Sequence, residues 1–500
     1  MATSNNIEYD QMETIRIRKL NHAILKVECD RGVGAELREF FSFYVPGYKF
    51  MPAYRNRVWD GKIRLYNQIT GEISAGLFPQ IVPFAEGREY EVDIEETEYG
   101  NPNEGNQINA DFMMKFIEAL KLPFKIRDYQ FDAVCTGIQR KNAILLSPTG
   151  SGKSLIIYVL ARWLLSALDK SRKDILIVVP TTSLVEQMAS DFISYGWDDS
   201  HIHKIYSGHD KVSNKPITIS TWQSIYKENK KYFNKYQCVI GDEAHLFKAK
   251  SLTGIMTKLE DCPYRFGFTG TLDGTQTHRL VLEGLFGEVE QVTTTKALMD
   301  DDTIAKLAID CVVLKHGEEI SKQCKDFNYI DEINFLVQNK KRNQFIYNLC
   351  KTLKGNTLVL YQLVEKHGEV LNEMMQDLDK EVHFVHGGVG TDERAQIRAL
   401  AEKKNNILIL ASYGVFSTGI NIRNLHNVVF ASPYKSRIKV LQSIGRGLRK
   451  SEQKDAVKLY DIADNLTYKN RKNFTLLHFQ ERINIYNEEE FNYKVNTLSI

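Results

Sequence analysis

An apolar run, Ala143-Ile-Leu-Leu146, passes directly into Ser147-Pro-Thr-Gly-Ser-Gly-Lys153-Ser154 and then into a helix-forming stretch from Leu155. That succession leaves the chain little freedom. The run calls for a buried strand, the glycines for a tight turn, and the helix must begin where the turn ends. In this arrangement Gly150 and Gly152 let backbone N–H groups curl around phosphates, and the helix N-terminus favours negative charge. Thr149 and Ser151 complete the loop, Lys153 reaches the β- and γ-phosphates, and Ser154 is placed to ligate a cation. Ser147 stands where the strict pattern has glycine. The bland alternative is a chance Gly-Lys-Ser turn, which the strand–loop–helix context disfavours. The expected ligands are ATP and Mg²⁺.

From Asp111 onward, helices alternate with short apolar runs: Ala143–Leu146, Ile175–Val179, Ile217–Ser220, Cys238–Ile240 and Phe266–Thr269. A second series comprises Thr357–Tyr361, His383–His386, Ile407–Ala411, Val428–Ala431 and Val457–Tyr460. Several of them are dense in Val and Ile, as suits parallel strands buried on both faces. The expected fold is α/β, with two tandem doubly wound parallel-sheet lobes at 111–300 and 301–466. A small α+β module at 1–110 precedes them, and a short helical extension at 467–500 follows. Within the module, Leu37, Phe40 and Phe41 have helical spacing. Seven acids and one Arg fall between Glu86 and Glu98, yet Tyr90, Val92 and Ile94 alternate with acids, which predicts a strand with one solvated face. Tyr99–Gln107 reads as a linker.

Two further constellations carry chemistry. Gly241-Asp-Glu-Ala-His245 follows an apolar run, so its carboxylates fall at the carboxyl end of a strand, where open α/β sheets bind ligands. Asp242 would hold Mg²⁺ and Glu243 would polarise an attacking water, with His245 linking hydrolysis to the second lobe. Gln442-Ser-Ile-Gly-Arg446-Gly-Leu-Arg449 puts two guanidiniums three residues apart on one helix face, suited to charge on a transferring phosphoryl group. Taken alone, this string is also a solvated basic helix end.

Bulk properties narrow the classes. Seven scattered cysteines without a CxxC pair argue against a zinc site or a disulfide frame and for a reducing cytoplasm. No apolar stretch reaches membrane-spanning length, so no membrane partner is expected. A net charge of +2 does not advertise nucleic acid, which must be argued locally.

From about Ile126 to Lys450 the chain resembles a superfamily-2 helicase with two RecA-like lobes. Arg127-Asp-Tyr-Gln130 resembles the Q-motif, where Gln130 reads the adenine edge. Val179-Pro-Thr-Thr-Ser-Leu184 resembles motif Ia, Ser220-Thr-Trp-Gln-Ser224 motif Ic, and Thr269-Gly-Thr271 motif III. Ala411-Ser-Tyr-Gly-Val-Phe-Ser417-Thr-Gly-Ile420 resembles motif V, and Gln442 to Arg449 motif VI. All stand in the family's order. The resemblance implies ATP between two lobes. It assigns Arg127, Gln130 and Gly419 to the nucleotide, Thr269, Thr271 and Gln442 to coupling, and Arg446 and Arg449 to arginine fingers. Thr181, Thr182, Thr221, Trp222, Ser417 and Thr418 would grip the phosphate backbone of a tracked strand. Singly, each Thr also reads as a helix cap. Asn421 stands where many members have Asp.

A narrower resemblance covers nearly the full length. Phe40-Phe-Ser-Phe43, Gly47-Tyr-Lys-Phe50 and Trp59-Asp-Gly-Lys-Ile-Arg64, with Ser412–Gly419, resemble the UvsW type of tailed-phage DNA helicases. It implies remodelling of branched DNA by branch migration, fork regression, unwinding and annealing in recombination, repair or replication. The expected partner is forked or four-way-junction DNA, bound by a monomer in the host bacterial cytoplasm. Lys49, Arg55, Arg57, Lys62 and Arg64 interleave with Tyr48, Phe50, Tyr54, Trp59 and Tyr66, which suits phosphate contact and base stacking. A module whose aromatics form its own core fits the same pattern. The rival functions are an RNA helicase, a double-strand translocase, and a junction-binding or annealing protein switched by ATP.

Overall fold

Alternating apolar and charged residues make Thr14–Lys19 (β1) and Ile24–Glu28 (β2) half-buried strands that pair antiparallel. The computed structural model describes residues 13–167, 174–415, 422–448 and 456–500. After the helix Arg31–Phe40, Ser42–Tyr44 (β3) and Lys62–Arg64 (β4) form an antiparallel hairpin whose long connection carries a 3₁₀ turn, Tyr48–Phe50, and a short helix, Pro52–Arg55. Tyr66–Asn67 (β5), Glu72–Ser74 (β6) and Glu91–Glu95 (β7) complete a sheet in the order β5-β6-β2-β1-β7. The acid-rich stretch is therefore the expected strand. It runs parallel to β1, and its carboxylates meet that strand's cations, with Arg16 Nε 3.1 Å from Asp93 and Arg18 Nε 4.0 Å from Glu95.

Chain proximity divides the molecule into two units. The first runs to Leu146 and resumes from Gly152 to Val292; the second holds Ser147–Ser151 and Thr293–Ile500. The N-terminal module thus belongs with the first lobe. Leu280, on the helix Gln276–Phe286, joins the module's own core of Ile15, Ile17, Leu25, Leu37, Phe41 and Ile81. At Gly76 a Cβ would lie 2.0 Å from Glu283 O, so only glycine permits that approach. The segment read as a linker is also tied down: Asn106 Nδ2 donates to Ile138 O at 2.8 Å and to the Tyr264 hydroxyl at 3.0 Å.

The first lobe's sheet comprises Asn142–Leu146 (β8), Asp174–Val179 (β9), Ile202–Ile205 (β10), Ile217–Thr221 (β11), Tyr236–Asp242 (β12), Tyr264–Thr269 (β13) and Val289–Gln291 (β14). Their order is β10-β11-β9-β12-β13-β8-β14, and every adjacent pair is parallel. Parallel pairing sends every strand's carboxyl end to one edge.

The second unit repeats the plan with Lys306–Lys315 (β15), Thr357–Tyr361 (β16), Glu381–Val385 (β17), Ile407–Ser412 (β18), Asn427–Phe430 (β19), Ala456–Asn465 (β20) and Tyr493–Ser499 (β21). The order is β17-β18-β16-β19-β20-β15-β21, again all parallel. Here the expectation of a helical C-terminal extension needs correction. The helix Phe474–Glu488 is present, but the chain then returns as β21 beside β15. This edge strand is exposed almost throughout, so no apolar period marks it in the sequence.

Candidate ATPase site and nucleic-acid surface

β8 ends at Leu146, and the loop after it turns on two left-handed glycines, Gly150 at φ 90° and Gly152 at φ 81°. A Cβ at Gly152 would meet Gln130 Nε2 at 2.3 Å, so the Q-motif amide lies directly against the loop backbone. Gln130 is itself oriented by accepting the Arg127 N–H through Oε1 at 3.0 Å, at the start of the helix Asp128–Arg140. Ser151 Oγ donates to Pro148 O at 2.7 Å and lies 2.6 Å from Ser147 Oγ. Ser147 thereby braces the loop at the position where the strict pattern has glycine. Lys153 opens the helix Lys153–Ala167, so the lysine stands at a helix N-terminus directly after the glycine turn.

The acid pair sits where β12 ends. Glu243 adopts φ 53°, ψ 51°, a left-handed conformation that is costly for a residue with a Cβ and turns the chain sharply. The turn brings its carboxylate 4.0 Å from Lys153 Nζ and 3.4 Å from His245 Nδ1. His245 Nδ1 is also 3.0 Å from Thr269 Oγ1, which in turn donates to Thr271 O at 2.9 Å. Burial lowers the His245 pKa, and because Thr269 Oγ1 spends its proton on Thr271 O, it accepts from His245 Nδ1–H. Three sequence motifs are thus joined by direct contacts within the first unit. His278, which no motif flagged, adds a brace: Nε2 donates to His245 O at 3.0 Å, and Nδ1 lies 2.8 Å from Asp273.

The donor set fits Mg²⁺ with a nucleotide. A hydroxyl (Ser154) and a carboxylate (Asp242) are hard oxygen ligands, and Mg²⁺ takes few of these from protein when phosphates and waters supply the rest. Among the described residues no group of three or more His, Cys, Asp or Glu forms a metal cluster, so a self-contained protein cage is not offered.

Burial pushes the Asp242 carboxyl up to about 6; Lys153 opposes that push and Glu243 adds to it. A raised carboxyl pKa means that the folded state binds this proton more tightly than the unfolded state. Stability therefore falls as pH rises from near 3.8 through 6, and the full cost persists above that window. Asp242→Asn is expected to raise the melting temperature of the nucleotide-free protein at pH 7.5, with the gain shrinking as pH is lowered toward 5. Thermal melts across this range check it, and an unchanged or lower melting temperature at pH 7.5 would contradict it.

The same sheet edge presents the residues expected at nucleic acid. Thr181 caps the helix Thr182–Ser194, accepting the Leu184 N–H at 3.4 Å, so the cap role and an N-terminus open to phosphate coexist. Thr221 ends β11, and its hydroxyl lies 2.9 Å from Ser224 Oγ, while Trp222 opens the following short helix beside Tyr226. In the second unit Gln442 lies on the helix Arg437–Gly447, which also carries Arg446. Ser417, Thr418, Gly419, Asn421 and Arg449 lie outside the described residues.

Structure sorts the module's basic and aromatic residues. Tyr66 is core, Trp59 Nε1 donates to Lys62 O at 2.9 Å, and Tyr48 stacks on Tyr44 at 4.6 Å and meets Tyr54 edge-on at 4.7 Å. Those rings serve the module's own packing. Phe50 and Val58 are 84% and 82% exposed on the β3–β4 connection, among exposed Lys49, Arg55 and Arg57. Lys62 and Arg64 are engaged by Glu39 and Asp60.

A phosphate cradle and acid pair on one doubly wound sheet, followed by a second such sheet bearing the Gln442–Arg446 helix, define a superfamily-2 helicase core. The family described as "DNA helicase UvsW, N-terminal" matches residues 14–95. "Type III restriction enzyme, res subunit" matches 123–274, and "Helicase conserved C-terminal domain" matches 340–451. The ATP-dependent DNA helicase uvsW of Enterobacteria phage T4 is 34% identical over 97% of this chain and all of its own length. The DNA 3'-5' translocase XPB2 of Sulfurisphaera tokodaii is 26% identical over 67% of this chain and 81% of its own. The crystal structure of T4 UvsW aligns with a TM-score of 0.51 at 31% identity, covering 97% of this chain and 99% of that one. The Type ISP restriction-modification enzyme LlaBIII bound to DNA, at 16% identity and a TM-score of 0.55, covers 76% of this chain and 32% of its own, and shares the fold alone. The chain belongs to the UvsW family of superfamily-2 DNA helicases.

Proposed function

We propose that this protein uses ATP and Mg²⁺ to remodel branched DNA, driving branch migration, fork regression and duplex unwinding, with strand annealing as a further activity. The observation that carries this reading is the N-terminal module. It is built into the motor lobe through Leu280 and Gly76, and it presents Lys49, Arg55 and Arg57 beside exposed Phe50 and Val58.

The chemistry follows from the residues. Backbone N–H groups of the loop and Lys153 hold the β- and γ-phosphates, and Gln130 reads the adenine edge. Glu243 accepts a proton from the attacking water, held in place by the turn at its own backbone. Ser154 and Asp242 would hold Mg²⁺, which would supply charge neutralisation at the phosphates. Arg446 and Arg449 stabilise charge on the transferring group. His245, Thr269 and Thr271 pass the state of Glu243 to the rest of the lobe, and Gln442 performs the same task in the second unit. Thr181, Thr182, Thr221 and Trp222, with Ser417 and Thr418, hold the strand backbone, and cycles of nucleotide-driven closure advance it. A monomer acting in the cytoplasm of a phage-infected bacterium fits this role. Among the described residues no helix is long and apolar enough to cross a membrane.

The test is ATP-driven conversion of a synthetic four-way DNA junction, with a matched RNA duplex alongside and Lys153→Ala as control. Junction conversion that needs ATP and Lys153, with RNA untouched, is expected. RNA unwinding without junction activity would move the function to RNA. Junction annealing retained by Lys153→Ala would show that DNA binding contributes a function of its own.

Arg55→Gln with Arg57→Asn is expected to weaken junction binding and leave basal ATPase unchanged. Asn suits the second position because Arg57 has φ 56°. The salt dependence of log K should flatten by about 0.9 per lost phosphate contact. Binding titrations from low to moderate salt check it, and an unaltered slope would remove these residues from the interface.

A further inference from the structure

The loop hydroxyl assigned to the metal has a partner that no motif includes. Ser154 Oγ lies 2.9 Å from the Tyr195 hydroxyl. Tyr195 closes the helix Thr182–Ser194, its N–H bonding Asp191 O at 3.0 Å and Phe192 O at 3.2 Å. Its ring is held edge-on by Tyr158 at 5.4 Å and by Phe124 at 6.3 Å.

A serine hydroxyl that ligates a cation turns a lone pair to the metal and its proton away. The cation polarises that O–H, which then donates more strongly and needs an acceptor. Tyr195 Oη is in place to accept it. The helix that Tyr195 closes starts at Thr181, one of the residues facing the strand backbone. Its 13 residues span about 20 Å. Val185, Met188, Ala189 and Phe192 are buried along it, so its two ends are joined by one packed, rigid element. A phosphate seated at its N-terminus therefore bears on the position of Tyr195 at its other end.

We propose that Tyr195 is a positioning residue for Ser154: it accepts the hydroxyl proton, fixes the lone pair toward Mg²⁺, and through its helix links that alignment to strand contact at Thr181 and Thr182. The proposal rests on the reading of Ser154 as a metal ligand.

The experiment titrates the full-length protein with N-methylanthraniloyl-ADP by fluorescence, with and without Mg²⁺ and with and without single-stranded DNA. Wild type, Tyr195→Phe, Ser154→Ala and the double variant are compared. Tyr195→Phe keeps the ring, so affinity without Mg²⁺ should stay within about 2-fold of wild type. The Mg²⁺-dependent gain in affinity should fall about 3- to 10-fold, the size of one hydrogen bond. The further gain on adding DNA should shrink, and in the Ser154→Ala background Tyr195→Phe should add no loss. Unchanged Mg²⁺ dependence in Tyr195→Phe, with a loss in Ser154→Ala, overturns the role of Tyr195 and leaves Ser154 as a ligand. Equal losses with and without Mg²⁺ also overturn it, since only packing would then be involved. Unchanged Mg²⁺ dependence in Ser154→Ala overturns the metal-ligand reading itself.

Discussion

Glu243→Gln is expected to cut ATP turnover by about 10²- to 10⁴-fold, the contribution of a positioned general base, while ATP and DNA remain bound. Gln keeps the length and shape of Glu and still accepts hydrogen bonds, so the costly left-handed turn at φ 53° and the packing around it persist. The amide cannot take the proton of the attacking water. The enzyme therefore stalls with ATP in place, in the state that holds DNA. Lys153→Ala should fail differently. It removes the cation proposed to meet the phosphates and the partner 4.0 Å from Glu243, so nucleotide binding and turnover are both expected to collapse. Steady-state ATPase combined with filter binding of nucleotide and DNA separates the two outcomes. Glu243→Gln turnover above one-tenth of wild type would remove Glu243 from the role of base.

The second large effect is on stability. Asp461→Ala is expected to destabilise the second lobe by about 3–5 kcal/mol, the cost of leaving a buried charge without its partner. Arg482, on the helix Phe474–Glu488, is 1% exposed, and its guanidinium spans Asp461 with Nε at 2.8 Å from Oδ2 and the terminal nitrogen at 2.7 Å from Oδ1. Its remaining terminal nitrogen donates to Tyr434 O at 2.8 Å, and the Tyr486 hydroxyl donates to Asp461 at 2.9 Å. With every partner placed, the pair fastens the C-terminal helix to β20. Removing the carboxylate alone strands a cation in the core, whereas Asp461→Ala with Arg482→Met should recover part of the loss because neither charge remains. Thermal or urea unfolding of the full chain followed by circular dichroism tests both variants. A single variant that melts with wild type would contradict the assignment.

How much of this was legible beforehand depends on the kind of signal each residue leaves. The strands β8 and β9 are readable because burial on both faces favours runs of Val, Ile and Leu, and β11, β12 and β13 because a short, mostly apolar run sits between helical stretches. The acidic strand β7 was readable from its period of two. By contrast, β15 mixes Lys306, Asp310 and Lys315 with apolar residues, and β21 is an exposed edge, so neither stands out. Basic and aromatic residues on the β3–β4 connection were visible as a cluster, but pattern alone did not separate Tyr66 in the core from Phe50 in solvent.

The amino-acid sequence by itself determined the local chemistry: the glycines at left-handed turns, the lysine and hydroxyl behind them, the paired carboxylates after a buried strand, and the order of the motifs. These are legible because each depends on neighbours within a few residues. Tertiary structure alone decided which distant groups meet. Parallel pairing put Thr269 beside His245, and the docked helix Gln276–Phe286 set His278 against the same loop and Leu280 into the module's core. The far end of another helix brought Tyr195 to Ser154. Such meetings depend on how strands and helices pack across long loops, and packing is a property of the whole core, not of any short stretch of chain.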